Sequence, residues 1–496
     1  MTGGSLKSVP RTLTARHRAL QPLEDMEVAL VRSCLDCKDW LSEQDEAALR
    51  FSLGLAHVSI VRARDGREVD LTELTHPLRE LLTETLSPLL LDRRGLVQRQ
   101  ELASLLPTIL AVALEHRDRI KHETKDLIAW SDIEDEIRNK RLVIACGGGG
   151  GAGFVYLGAF QALEDAGLPI ALLSGTSIGA ILGAFRARQQ SFDVSDSHGV
   201  VGKLSFGLLF QPMNIRSRYG LPAPLRLLLR QGIGRHFQKP DGDHMSLEDL
   251  KIPLLVAISG LRHGEKDQEP EWYEHRLNLQ AAALAAEGAR QPGPGWTRSL
   301  LEGLWTALLE LGQRKETLRS IIVGSDPVTR SYDLMDALGF SAAVPGVIQY
   351  DLAPESTRMA RLLDDLFERK QIRRLLDGAL VENVPAKAAW RAVHSGALGR
   401  RNCLVVALDS FAPKLKQPLW LPIQRLIRQN VLLNLRYAHV VKTFTSTLSP
   451  LDLVPSPGQI EKAITWGRKE FEYEMPLLKK LLAPLPSHQV IERLAS

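Results

Sequence analysis

The sequence predicts an α/β domain built on a central, mostly parallel β-sheet. Short apolar runs recur at residues 142–146, 170–174, 253–258, 320–323 and 403–408, and helical patterns separate them. Strands that alternate with helices indicate parallel βαβ units. The first run is entered from charge at Arg141 and left through Gly147, Gly148, Gly149, Gly150 and Gly151, the pattern of a strand buried on both faces.

The flanks read differently. Residues 1–140 form an N-terminal helical region, with apolar residues three and four apart, as in Leu102, Leu106, Ile109 and Leu110. Its first 22 residues carry Lys7, Arg11, Arg16 and Arg18 and no acid, but lack the apolar run of a secretory signal. The α/β domain is expected over residues 141–410. Within it, residues 266–318 break the alternation with a charged segment, an Ala-rich helix and a Pro-Gly turn, and read as an insertion or lid. Residues 411–496 read as a C-terminal helical extension broken at prolines that include Pro418, Pro455 and Pro484.

At 496 residues, with 44% hydrophobic and 24% charged residues, the chain can bury a large core. A formal net charge of +4, without a basic tail, argues against a nucleic-acid partner. Cys34, Cys37, Cys146 and Cys403 are too few for a disulfide framework, which points to a reducing, cytoplasmic setting. Cys34 and Cys37 form a C-x-x-C pair without a second pair to complete a zinc site, so no metal is expected. No uncharged apolar stretch reaches the length that spans a bilayer; the nearest, residues 171–185, contains Ser, Thr and three Gly, so membrane contact is expected to be peripheral.

Two glycine motifs carry the chemistry. Gly148-Gly149-Gly150-Gly151-Ala152-Gly153 satisfies G-x-G-x-x-G between a strand and a helix, which raises a dinucleotide site. That site also wants an acid at the end of the second strand, and none occurs between residues 166 and 192. The second strand runs instead into Gly175-Thr176-Ser177-Ile178-Gly179, a G-x-S-x-G nucleophile elbow. Attack of a serine on an ester makes an oxyanion, and backbone N–H groups of a glycine loop at a helix N-terminus can stabilise it. Gly148, Gly149, Gly150, Gly151 and Gly153 are therefore the expected oxyanion hole for Ser177.

A serine hydroxyl needs a base. In the Ser, Asp, His order of a triad, His394, His439 or His488 could serve, giving an esterase acting on small soluble esters. In a two-residue arrangement, Asp377 of Asp377-Gly378-Ala379-Leu380-Val381-Glu382-Asn383-Val384-Pro385 would accept the proton itself.

Four ordered blocks resemble the patatin-like phospholipases: the glycine loop and its helix through Leu163, the elbow Gly175 to Gly179 with Ala180, Ser341-Ala342-Ala343-Val344-Pro345-Gly346, and Asp377-Gly378-Ala379 with Asn383 and Pro385. The resemblance covers residues 141–410. It implies a three-layer fold with the sheet between helices, a Ser177–Asp377 dyad without histidine, no cofactor, and a phospholipid or neutral-lipid ester substrate. The family usually places Arg or Lys before the last glycine of its loop, where this chain has Ala152. That departure motivates an alternative, a catalytically weak lipid-binding member.

Two stretches are basic without acids: residues 197–240, with Lys203, Arg216, Arg218, Arg226, Arg230, Arg235 and Lys239 among leucines, and residues 411–451, with Lys414, Lys416, Arg425 and Arg428 beside Trp420 and Ile423. Both are candidate contacts with an anionic lipid surface.

Overall fold

The computed structural model describes residues 12–91, 97–201, 203–212, 217–223, 225–262, 318–412 and 421–495. The expected insertion at 266–318 lies outside the described residues except for Leu318.

Five helices precede the sheet: α1 (Leu13–Asp36), α2 (Glu43–His57), α3 (Thr72–Leu90), α4 (Arg99–Thr124) and α5 (Trp130–Arg138). They pack around their own apolar cluster, which includes Leu23, Met26, Leu30, Leu49, Phe51 and Leu82. The region is not wholly helical. Strands β1 (Ile60–Arg62) and β2 (Glu68–Asp70) form an antiparallel hairpin turned at Gly66, whose φ of +88° is in the region that favours glycine. Three-residue strands are too short to show alternation, which is why the sequence pattern passes over them.

The central sheet is α/β and mostly parallel, as predicted. It comprises β3 (Arg141–Cys146), β4 (Ile170–Thr176), β7 (Leu254–Arg262), β8 (Leu318–Val323), β10 (Ile372–Asp377), β11 (Cys403–Asp409) and β12 (Val440–Thr443), in the order β10-β7-β4-β3-β11-β12 with β8 also paired to β7. The pairs β4–β7, β3–β4, β3–β11 and β11–β12 are parallel; β8 and β10 run antiparallel to β7. A smaller sheet joins β5 (Phe210–Pro212), β6 (Leu225–Leu227) and β9 (Ile348–Gln349). Every residue of β11, and all of β3 after Arg141, is buried, as covering helices on both faces require. Among those helices are α6 (Val155–Asp165), α7 (Ile178–Ala187) and the helix Ala386–His394.

Two strands escape the apolar-run criterion. Arg373 and Arg374 interrupt β10, and both are half-buried at the sheet edge. β12, Val-Val-Lys-Thr, alternates buried and less buried positions on the opposite edge. The C-terminal segment is thus not only a helical extension: it contributes an edge strand, with Lys442 placed where charge discourages further pairing.

Candidate active site

The sheet topology brings Ser177 to Asp377. The first half of β7 pairs with β4, ending at Thr176 opposite Ala257, and its second half pairs with β10, ending at Asp377 opposite Ile258. Because β4 runs parallel and β10 antiparallel to β7, their C-terminal ends meet on β7. Gly378 turns the chain away at that junction; a Cβ there would lie 2.2 Å from the Ala257 carbonyl oxygen.

Ser177 follows β4 directly and caps α7 with φ +55° and ψ −126°, a sparsely populated conformation for a residue with a Cβ. Its surroundings hold it there. The Ser177 N–H donates to Ser341 Oγ at 2.9 Å, and the Ser341 hydroxyl donates to the Ala257 carbonyl at 2.7 Å. A Cβ on Gly179 would stand 2.5 Å from the Cys146 carbonyl oxygen, so glycine is what lets α7 close on the end of β3.

Asp377 is buried, and its Oδ1 accepts the Ala379 N–H at 2.7 Å. Burial raises its pKa to about 6; the Ala379 N–H and a hydrogen bond with the Ser177 side chain act in the opposite direction. The rest of the acid motif fastens the strands and the loop. Asn383 accepts the Gly148 N–H through both its carbonyl (3.1 Å) and Oδ1 (3.0 Å), the Thr176 hydroxyl donates to the Glu382 carbonyl (2.7 Å), and the Ser174 hydroxyl donates to the Pro385 carbonyl (3.1 Å).

The five loop glycines divide by role. The Gly148 N–H is committed to Asn383, and the Gly151 N–H donates to the Pro450 carbonyl at 3.2 Å. Gly153 provides close packing, since a Cβ there would sit 2.5 Å from Ile178 Cγ2. Of the five glycines expected to form the oxyanion hole, Gly148 and Gly151 have their N–H groups engaged, and neither they nor Gly153 line the cavity. Gly149 and Gly150 do line it, and among the described residues no loop or cap bond engages their N–H groups. The N–H of Ile178, at the first turn of α7, is open in the same sense. The elbow pattern contains that donor, the residue after the serine.

Ser177 and Asp377 open into a cavity of about 200 Å³. Among the described residues its polar side chains are Ser177, Asp377 and Asn383; the remainder is apolar, including Ile181, Phe185, Leu209, Leu227 and Ile233. Pro450, Leu451, Leu453 and Val454 line it as well, so the C-terminal segment closes over the glycine loop. Sequence reasoning assigned that segment no place in the site.

Residues 144–390 match the patatin-like phospholipase family. This chain carries a patatin-like phospholipase domain. Lysophospholipase NTE1 of Yarrowia lipolytica is 39% identical over 190 residues, 38% of this chain and 13% of the relative. Lysophospholipase NTE1 of Coccidioides immitis is 42% identical over 66 residues, 13% of this chain and 4% of the relative. The human patatin-like phospholipase domain-containing protein 6 is 44% identical over 62 residues, 12% of this chain and 4% of the relative. The matched segments span only 4% to 13% of these relatives' length.

No histidine lines the cavity of the patatin-like domain among the described residues. His394 stacks on Trp390, His439 pairs with Glu24, and His488 pairs with Glu134 and packs on Trp130. The three triad candidates therefore stand elsewhere. Ala152 is buried, its N–H donating to the Gly149 carbonyl at 3.2 Å, and no Lys or Arg lines the described cavity. The basic stretch at 197–240 also differs from expectation. Leu225, Leu227, Leu229 and Phe237 are buried, while Arg230 pairs with Asp333 and Asp336, Arg218 with Asp364, and Lys239 with Asp249. Those apolar residues build the core and cavity rather than a lipid-facing surface. In the second stretch, Lys414, Lys416 and Trp420 lie outside the described residues, as do the side chains of Ile423 and Arg425; Ile427 lines the cavity. Among the described residues, no helix is long and apolar enough to cross a membrane.

Proposed function

We propose that this chain hydrolyses a carboxylic ester of a lipid, with Ser177 as nucleophile and Asp377 as its base. The observation that carries this is a strained serine that lines, together with a buried carboxylate at the end of the neighbouring strand, the mouth of an almost wholly apolar cavity. Asp377 takes the Ser177 proton as Oγ attacks the ester carbonyl. The resulting oxyanion accepts hydrogen bonds from the N–H groups of Gly149 and Gly150, with Ile178 and the positive end of α7 adjoining. Collapse of the intermediate breaks the ester C–O bond, and protonated Asp377 returns its proton to the departing alcohol. Water, deprotonated by Asp377, then attacks the acyl-enzyme and releases the fatty acid and Ser177. A base shifted to about 6 is ionised at neutral pH and stronger than an ordinary carboxylate.

The apolar lining suits an acyl chain, and the relatives named lysophospholipase make a single-chain phospholipid the first substrate to try. Peripheral contact with an anionic membrane would bring the cavity to its substrate; the helix Leu421–Leu435 exposes Leu432 and Leu433. The test is fatty-acid release from lysophosphatidylcholine by wild type and Ser177→Ala. Release is expected from wild type alone, and equal background rates would favour the non-catalytic, lipid-binding reading that Ala152 motivates.

A further inference from the structure

A group of imidazoles, one buried and two half-buried, lies away from the Ser177 cavity, where the N-terminal helices meet the sheet. It gathers Glu24 from α1, His57 at the end of α2, His394 at the end of the helix Ala386–His394, and His439 just before β12. His57 Nε2 stands 3.0 Å from Glu24 Oε1, and His439 Nε2 3.4 Å from Glu24 Oε2. One ligand atom from each of Glu24, His57 and His394 lies within 4.8 Å of the others. Neither ring nitrogen of His394 has a hydrogen-bond partner, although the residue is 1% exposed and its ring is fixed by stacking on Trp390 at 3.7 Å. Buried imidazole nitrogens are ordinarily satisfied, so this ring lacks a partner that the described protein does not supply.

We propose that Glu24, His57 and His394 bind a divalent transition-metal ion of the zinc type. Two imidazoles and a carboxylate form a borderline N/O donor set, which suits that class. Tetrahedral geometry at bond lengths of about 2.0–2.1 Å puts ligand atoms about 3.3–3.4 Å apart, so the 3.0 Å His57–Glu24 pair opens slightly while the wider spacings, all within 4.8 Å, close. His439 acts as an orienting partner. Its Nδ1 accepts the Val405 N–H at 2.7 Å, which leaves the proton on Nε2, directed at the second Glu24 oxygen. A cavity of about 20 Å³ on the side of Glu24 and His57 away from His394, bordered also by His439, Lys140 and Asn402, has room for a water. The ion would fasten α1 and α2 to the helix that follows the acid motif.

The test is metal content of the full-length protein, incubated with zinc and freed of unbound metal by gel filtration, together with melting with and without a chelator. About one ion per chain is expected, with a melting point that falls on chelation. His394→Phe, which retains the stack on Trp390, and Glu24→Gln should each abolish stoichiometric binding, and His439→Ala should weaken it about 10–100-fold. Cobalt bound in place of zinc should show no thiolate charge-transfer band, and Cys37→Ser should leave the stoichiometry unchanged. Wild type without stoichiometric metal, retention of metal by His394→Phe, or dependence on Cys37 would overturn the proposal.

Discussion

The backbone N–H of Ser177 donates to the hydroxyl of Ser341, which passes the restraint to β7 through the Ala257 carbonyl. The strained φ of the elbow thus rests on a side chain 164 residues away. Ser341→Ala leaves a buried N–H and a carbonyl without that partner, at about 1–3 kcal/mol. Folding stability should fall by that order, and kcat should fall more than KM rises because the serine is misplaced rather than the lipid unbound. Denaturant melts and steady-state kinetics check both.

Asp377→Asn should stabilise the protein while removing activity. A carboxyl whose folded pKa lies near 6, against about 3.8 unfolded, binds its proton more tightly when folded. Its contribution to stability is therefore lost as pH rises from about 4 to about 6, by up to about 3 kcal/mol. The stability gain of Asp377→Asn should be small near pH 4 and reach its full size above pH 6. Chemical denaturation across that range reads the difference directly.

Asn383 fixes the glycine loop by accepting the Gly148 N–H through two oxygens. Asn383→Ala removes one acceptor and the side chain that occupies the space beneath the loop. A fall in kcat of about 10–100-fold is expected, corresponding to about 1.4–2.7 kcal/mol of lost positioning. Reactivity of Ser177 toward a fluorophosphonate should fall in parallel, because the same oxyanion donors are displaced.

The walls of the cavity should set chain length. Ile233→Trp adds bulk to an apolar wall, and hydrolysis of a long-chain ester should fall relative to a butyrate ester. Comparing kcat/KM for p-nitrophenyl palmitate and butyrate checks this, and an unchanged ratio would remove the cavity as the acyl site.

Much of this was legible in the sequence, for identifiable reasons. β3, β4, β7, β8 and β11 announced themselves because buried strands are runs of apolar residues, and Ser177 because a strand-to-helix elbow needs glycines at fixed positions. Asp377 was legible only through the motif around it. Its strand is broken by Arg373 and Arg374, and nothing local shows that β10 ends opposite the residue next to the one that β4 meets. The loop donors were over-assigned because a glycine run does not reveal which N–H groups other carbonyls occupy; Pro450 is 299 residues from Gly151. The stretch 197–240 looked like a basic amphipathic surface because the acidic partners of Arg230 and Arg218, namely Asp333, Asp336 and Asp364, are distant in sequence and adjacent only in the fold.

The central claim, that Asp377 activates Ser177, is tested most directly by the pH dependence of covalent labelling of Ser177 by a fluorophosphonate, located by peptide mass spectrometry. In wild type the labelling rate should rise about tenfold per pH unit and level off near pH 6, and in Asp377→Asn it should drop by at least about 100-fold and lose that midpoint. A variant that keeps both the rate and the midpoint would show that another group takes the proton.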